Sequence, residues 1–413
     1  MFNCFLPVLV AVFLPLLMFA NDAFAAPPHR ACSAPPLPQP EGKVMTVATE
    51  SALQAVVDSL ASGMTIMIQP GRYHLTRTLW LKRNVDNVAI RGSTDSCDDV
   101  VLIGRGMSNR NYGNVPHGIW IGNARNALIA NLTIRDVYYH PIQLDPSGGA
   151  RAPRIYNVRM IDAGEQFVKS SSNPGATTGV SAGRVEYSIM EYTTTARSNY
   201  TNGVDVHQGA GWIIRHNLFR NIRAPAGQLA GPAVLMWNGS RDTVVENNLF
   251  LNVQYGIALG LNGKKADDHA GGIVRNNFFH RGSSESGDVA IVLNNSANTK
   301  VLHNTVILSG TYPNAIEYRF PATQGVEIRY NLTDAAVRQR DGATGTVASN
   351  ITDAQRGWFV DAAAGDLHLS AAAVAAIDKA APHPDVRTDY DGKSRPQGAA
   401  PDIGADEFSP AGR

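Results

Sequence analysis

One line of residues recurs five times in register, and it limits this chain to very few architectures. Ile214-Arg215-His216-Asn217-Leu218-Phe219 is followed by Val245-Glu246-Asn247-Asn248-Leu249-Phe250 and Val274-Arg275-Asn276-Asn277-Phe278-Phe279. Val301-Leu302-His303-Asn304-Thr305-Val306 and Ile328-Arg329-Tyr330-Asn331-Leu332-Thr333 continue the series. Asn217, Asn248, Asn277, Asn304 and Asn331 are 31, 29, 27 and 27 residues apart, and weaker copies precede them at 129–134, 155–161 and 185–190. A period of this length means stacked units, none of which buries its own apolar face alone. A second short strand recurs one step earlier, as in Ile119-Trp120-Ile121, Ile142-Gln143-Leu144, Val204-Asp205-Val206 and Val234-Leu235-Met236. Alternation sends the outer members of each triplet inward and the middle one outward. Propeller blades need roughly 40 to 45 residues, and leucine-rich repeats carry denser leucines at tighter spacing. The repeats therefore predict a parallel β-helix of about nine rungs over residues 85–350, with asparagine amides laddered from rung to rung.

The flanks divide the chain further. Residues 1–25 are an apolar run closed by Ala23-Phe24-Ala25, the pattern of an export signal, although Lys and Arg are missing from its start. Residues 26–42, rich in Pro and Ala, read as a linker. Leu53, Val56, Val57 and Leu60 lie at helical spacing before Gly63, which predicts a short helix plugging the open end of the first coil. The β-helix is placed at 43–350 and a C-terminal capping segment at 351–413. That segment is rich in Asp and Gly and most simply covers the last rung; a calcium site among Asp389, Asp391 and Asp402 is the sharper alternative. No second apolar stretch approaches the roughly 20 residues that span a bilayer, so the expectation is a secreted or periplasmic monomer that leaves the membrane once the signal is cleaved. Cys32 and Cys97 are then the two mature cysteines, either bridged or left as thiols. With 36 Lys+Arg against 35 Asp+Glu, the chain offers no basic field for nucleic acid.

The Asn-Asn-x-Phe rungs, the capping helix and the entry strand Ile66-Met67-Ile68-Gln69-Pro70-Gly71-Arg72-Tyr73 resemble the pectate-lyase-like superfamily. The resemblance implies an all-β, single-stranded, right-handed parallel β-helix with an N-terminal capping helix. It is specific for fold and weak for activity, because that superfamily includes lyases, epimerases, hydrolases and non-catalytic surface proteins.

Stacking puts equivalent side chains about 4.8 Å apart, so a site on such a wall is built by columns. The position after each triplet faces outward and reads Gly122, Asp145, Lys169, His207, Trp237, Gly260, Asn294, Arg319. Lys169 must face outward with Val168 inward, because a lysine inside a dry coil is an unpaired buried charge. Asp145, Lys169, Asp205 and His207 then share one patch, in which a lysine beside a histidine depresses both pKa values. This pattern predicts β-elimination or C5 epimerisation of a uronic acid in an extracellular acidic polysaccharide. Lys169 or His207 is the expected base, and Arg215 or Arg319 the group that neutralises the carboxylate. Trp237, Tyr138, Tyr139 and Asn294 are the expected sugar contacts. Asp145, Glu165 and Asp205 holding Ca2+ is what the resemblance to lyases of this fold implies. Two other classes stand beside this one. A non-catalytic glycan-binding surface β-helix carries the same wall without a working base, and a glycoside hydrolase needs two carboxylates facing one cleft. The chain has no Gly-x-Ser-x-Gly elbow, P-loop or His-Glu-x-x-His motif.

Overall fold

The computed structural model describes residues 32, 34–172, 178–261 and 265–409; the export signal predicted at 1–25 lies outside them. The chain winds as a right-handed parallel β-helix. One wall, the front sheet, has ten parallel strands among the described residues, nine of them within residues 85–350 and one, Leu79–Leu81, ahead of that range. They are β1 (Leu79–Leu81), β2 (Ile119–Ile121), β3 (Ile142–Leu144), β4 (Val168–Ser170) and β5 (Val204–His207). β6 (Val234–Trp237), β7 (Ile257–Leu259), β8 (Ile291–Asn294), β9 (Asn314–Arg319) and β10 (Ala336–Arg340) complete it.

The back of each coil turns at the repeated asparagine. His216, Asn247, Asn276, His303 and Tyr330 take left-handed backbone conformations with φ between 50° and 56°, so the residue before each aligned asparagine makes the corner. The aligned asparagine points inward. Its amide nitrogen donates to the next rung's carboxamide oxygen at 2.9 Å, from Asn217 through Asn248, Asn277, Asn304 and Asn331 to Asn350. That oxygen also accepts the preceding asparagine's backbone N–H, as Asn277 does from Asn248 at 3.0 Å, and Asn277 Nδ2 reaches the Val245 carbonyl at 2.9 Å. The ladder thus satisfies donors and acceptors that the turn would otherwise bury unpaired. Behind it Phe219, Phe250 and Phe279 stack at 4.7 and 4.3 Å, keeping the lumen filled.

The entrance is closed as the sequence predicts. Helix α1 (Glu50–Asp58) is capped by the Thr49 side chain, and Leu53, Val57 and Leu60 are buried against the first coil. A strand at Lys43–Val47, unanticipated, pairs with Met64–Ile68.

Both flanking segments lie along the side of the helix and cover its back. Residues 34–42 form a strap in place of a free linker: Leu37 is buried with Ala130 and Tyr156, and the Tyr156 hydroxyl donates to the Pro35 carbonyl at 2.6 Å. A Cys32–Cys97 disulfide tethers the strap's start. The C-terminal segment runs back over several rungs and is not confined to the last one. Tyr390 stacks on Phe278 at 3.9 Å, Asn247 Nδ2 donates to the carbonyls of Asp389 and Tyr390, and the Ala405 N–H meets Thr305 Oγ1. Leu218, Leu249 and Ile307, which face outward, are buried beneath it. Asp389 and Asp402 serve it as turn-makers, Asp389 accepting from the Asp391 and Lys393 N–H groups and Asp402 from those of Asp378 and Phe408, while the Asp391 carboxylate pairs with His368 and Lys393. Among the described residues no helix is long and apolar enough to cross a membrane.

Replacing the fully buried Asn277 by Ala strips partners from the Asn248 N–H and the Val245 carbonyl on one neighbouring rung and from Asn304 Oδ1 on the other. We expect a loss of about 3 kcal/mol, read from urea unfolding. The same change at Asn350, half-buried at the ladder's end, costs about 1 kcal/mol.

Candidate functional site

Register decides which side chains meet on the front sheet. The middle residue of each strand forms one outward column: Trp80, Trp120, Gln143, Lys169, Asp205, Leu235, Ala258, Val292, Glu317 and Arg338. Lys169 belongs here, level with Gln143 and Asp205, and not in the column of His207 and Trp237 where the sequence reading put it. Its orientation is as predicted, with Val168 inward and Lys169 outward.

The column becomes charged at β4 and β5. Lys169 Nζ donates to Asp205 Oδ2 at 2.6 Å and to His207 Nε2 at 3.1 Å. Since Nε2 accepts, Nδ1 carries the ring proton and donates to Ser172 Oγ at 3.2 Å. The other Asp205 oxygen accepts from Trp237 Nε1 at 3.0 Å, and the Trp237 ring lies 4.3 Å from that of His207. Lys169 is only 6% exposed and Asp205 2%, so each charge depends on the other. Burial, followed by the Lys169 charge, brings His207 down to about 4, with Asp205 opposing. The imidazole is therefore neutral near pH 7.

A second cluster borders this centre. His140 Nδ1 bonds the Gln166 carbonyl at 3.0 Å, and its Nε2 lies 3.7 Å from Glu165. Glu165 receives Arg197 at 3.2 Å, and burial raises its carboxyl above the ordinary value. The Arg197 guanidinium caps Tyr138 at 4.0 Å, and Tyr138 packs on Tyr139 at 4.8 Å. Burial, then the neighbouring charge of His117, holds His140 well below its usual value.

Lys169, Asp205, His207 and Trp237 converge, with Tyr138, Tyr139 and Glu165 at their border. The remaining predicted residues do not join them. Arg215 lies in the strand Ile213–Arg215 on the back, where it binds the fully buried Glu186 at 2.8 Å together with Arg154 and Arg184. Burial alone would raise the Glu186 carboxyl, but the hydrogen bonds from Arg184 and Arg154 bring it down to about 2. Arg319 is on the front sheet but four strands beyond His207, about 19 Å away, and pairs with Asp341 at 2.7 Å. Asn294 is buried in β8, three strands from His207.

Asp145, Glu165 and Asp205 do not converge as a calcium triad. Asp145 caps the turn at Pro146–Gly148 through the Ser147 N–H, Glu165 faces Arg197, and Asp205 faces Lys169. Four residues that matter here escaped prediction. Trp80 and Trp120 were legible by the same triplet rule that selected Asp205, whereas Ser172 comes from the loop after β4 and Arg197 from the loop between the back strand Ile189–Glu191 and β5, whose paths no periodicity encodes.

This fold and this wall define a class, the right-handed parallel β-helix protein with a charged, aromatic-bordered outer sheet. Residues 117–319 match the family described as "Right handed beta helix region", a stretch that holds β2 to β9. No curated protein matches the chain at a significant level. The solved structure of pectate lyase Pel9A is similar at a TM-score of 0.54 and 14% identity, over 86% of this chain and 90% of that one. An alginate lyase from Paenibacillus sp. str. FPU-7 aligns at 0.49 and 15%, covering 75% and 95%. The Streptococcus pneumoniae surface protein and adhesin PfbA aligns at 0.38 and 14%, covering 73% and 94%. The chain has the right-handed parallel β-helix fold, and the likeness to Pel9A is one of fold.

Lys169→Met removes the cation that faces His207 and leaves Asp205 opposite the ring, 3.8 Å from Nε2. Followed by NMR, the His207 titration should move upward from about 4 toward the ordinary histidine range. An unchanged midpoint would show that Lys169 does not help to keep the ring neutral.

Proposed function

We propose that this chain is an exported carbohydrate-active protein that eliminates across, or epimerises, a uronate residue of an acidic polysaccharide at the Lys169–His207 centre. The single observation behind this reading is the ammonium of Lys169 held between Asp205 and His207 on the outward face of the front sheet. The Cys32–Cys97 disulfide accords with an oxidising compartment.

The chemistry follows from the hydrogen bonds. Lys169 has three N–H groups, and Asp205 and His207 take two. A uronate carboxylate at this position recruits the third and draws the N–H now on Nε2. Neutralising the carboxylate acidifies the adjacent C5–H, and the freed Nε2 lone pair accepts that proton. In elimination the C5–H electrons form the C4=C5 double bond and the C4–O4 bond breaks. Its electron pair leaves on O4, which takes the proton back from the imidazolium. An imidazolium with a low pKa is a ready donor. In epimerisation water protonates C5 from the opposite face instead, and the hydroxide left behind takes the proton from the imidazolium. Asp205 positions Lys169, while Arg197 and Lys169 take the neutralising role first assigned to Arg215 and Arg319. This route uses no step through calcium, so activity persists in a chelator.

A binding-only reading has one observation in its favour: Lys169 is 6% exposed and already paired. Incubation with alginate, pectate, chondroitin sulfate and glucuronan separates the two. Elimination creates an ultraviolet-absorbing unsaturated uronide, and epimerisation exchanges C5–H for solvent deuterium. We expect one of these signals, with His207→Ala and Lys169→Ala each slowing it by roughly 100-fold or more. Thermal melts check that both variants remain folded. Full rate in both would remove this centre from the chemistry, and glycan retention without either signal would leave a binding protein.

A further inference from the structure

The front sheet continues past the charged centre toward the N-terminus, and there its outward column is aromatic. Trp120 on β2 and Trp80 on β1 lie in register with Lys169, two and three strands away, and both are half-buried. Their rings are 5.2 Å apart at 56°.

Gly122 explains how the Trp120 indole is seated. A Cβ added there would fall 2.2 Å from two atoms of that ring, so the indole lies down over the strand where any other residue would hold it off. Lys82, exposed, places its ammonium 4.3 Å over the Trp80 ring and adds a cation to the platform. On the opposite side of the centre the outward column becomes Leu235, Ala258 and Val292, buried under Trp237, Tyr255, Leu261 and Tyr312. The sheet face is thus closed to a ligand beyond Asp205, whereas on the other side of Lys169 it opens at the half-buried Trp120 and Trp80, past Gln143, which is buried with its amide on the Leu144 carbonyl.

We propose that Trp120 and Trp80, with Lys82, are sugar-stacking subsites that hold the flanking residues of an acidic glycan running from the Lys169 centre toward the N-terminal end. Three features fit that occupant. A hexuronate in an extended 1,4-linked chain is about one rung long, which matches one sugar to one strand. Flat indole faces suit the C–H faces of pyranose rings. Lys82 and Lys169, at the two ends of the run, suit carboxylates. This assignment rests on the function proposed above and extends it to where the rest of the substrate lies.

Titrating full-length wild type, W120A, W120F and G122A with oligosaccharides of alginate, pectate, chondroitin sulfate and glucuronan, with a cello-oligosaccharide as the neutral control, tests it by tryptophan fluorescence. W120A and G122A should weaken acidic-oligosaccharide binding by roughly ten-fold, and W120F should restore most of it. G122A acts only by displacing the ring, so its agreement with W120A separates stacking from a loss of fold. Wild-type affinity in both W120A and G122A overturns the platform while leaving the Lys169 centre intact. A wild type that prefers the neutral control overturns the choice of an acidic glycan. A wild type that binds none of these oligosaccharides overturns the function proposed above together with its platform.

Discussion

Everything in this molecule depends on a row of buried carboxamides spaced one rung apart. A β-helix coil must turn sharply with its backbone buried, and a buried unpaired N–H or carbonyl costs about 1–3 kcal/mol. From Asn217 to Asn350 each asparagine supplies what its own turn and the adjacent one lack. Because the amide repeat is set by strand spacing, every rung that carries it is forced into the same phase. Loops elsewhere in the coil then vary freely, which is how Asn-to-Asn distances of 27 to 31 residues coexist with one continuous register.

That register assembles the front-sheet centre and also sets its cost. Lys169 and Asp205 are adjacent only because β4 and β5 pair with Val168 opposite Val204. A slip of one residue would turn one of the two charges into the lumen. Removing one partner of such a buried pair typically costs about 3–5 kcal/mol, whereas an apolar pair is often as stable. The same column holds apolar residues on the next three strands, at Leu235, Ala258 and Val292, where nothing ionic is needed to fold. The charges at β4 and β5 are thus not a requirement of the coil, which is the physical reason to assign them to a ligand.

How much of this was legible follows from the same distinction. The ladder and the triplets repeat, so the coil, its inward and outward faces and its capping helix could be read directly. Lys169 was placed facing the right way but in the wrong column, because its triplet is Val168-Lys169-Ser170. Ser170 takes an inward position normally apolar, and at 0% exposed it sits there as a small buried hydroxyl. Arg215 was misassigned for a related reason: it faces outward as expected, but on the back, where buried Glu186 claims it. Asp145 stands in the predicted column yet turns its side chain to its own loop. Ser172 reaches the centre, and Arg197 its border, from two loops with no period. Columns are thus readable from sequence, whereas a partner supplied by a loop or by a distant carboxylate is not.

The coverings of the coil complete the argument. The strap at residues 34–42 lies over Ala130 and Tyr156, and the C-terminal segment lies over Leu218, Leu249, Phe278 and Ile307. Both sit on back strands whose outward residues are apolar and would otherwise meet water. On the front sheet the apolar part of the column is covered by Trp237, Tyr255, Leu261 and Tyr312. Trp80 and Trp120 stay half-exposed, although they are the largest apolar side chains of that column. A fold that covers Leu218 and Val292 but leaves two indoles half-exposed, two and three strands from Lys169, departs there from its own rule for apolar outward residues, and this departure is the physical ground for the stacking platform proposed above.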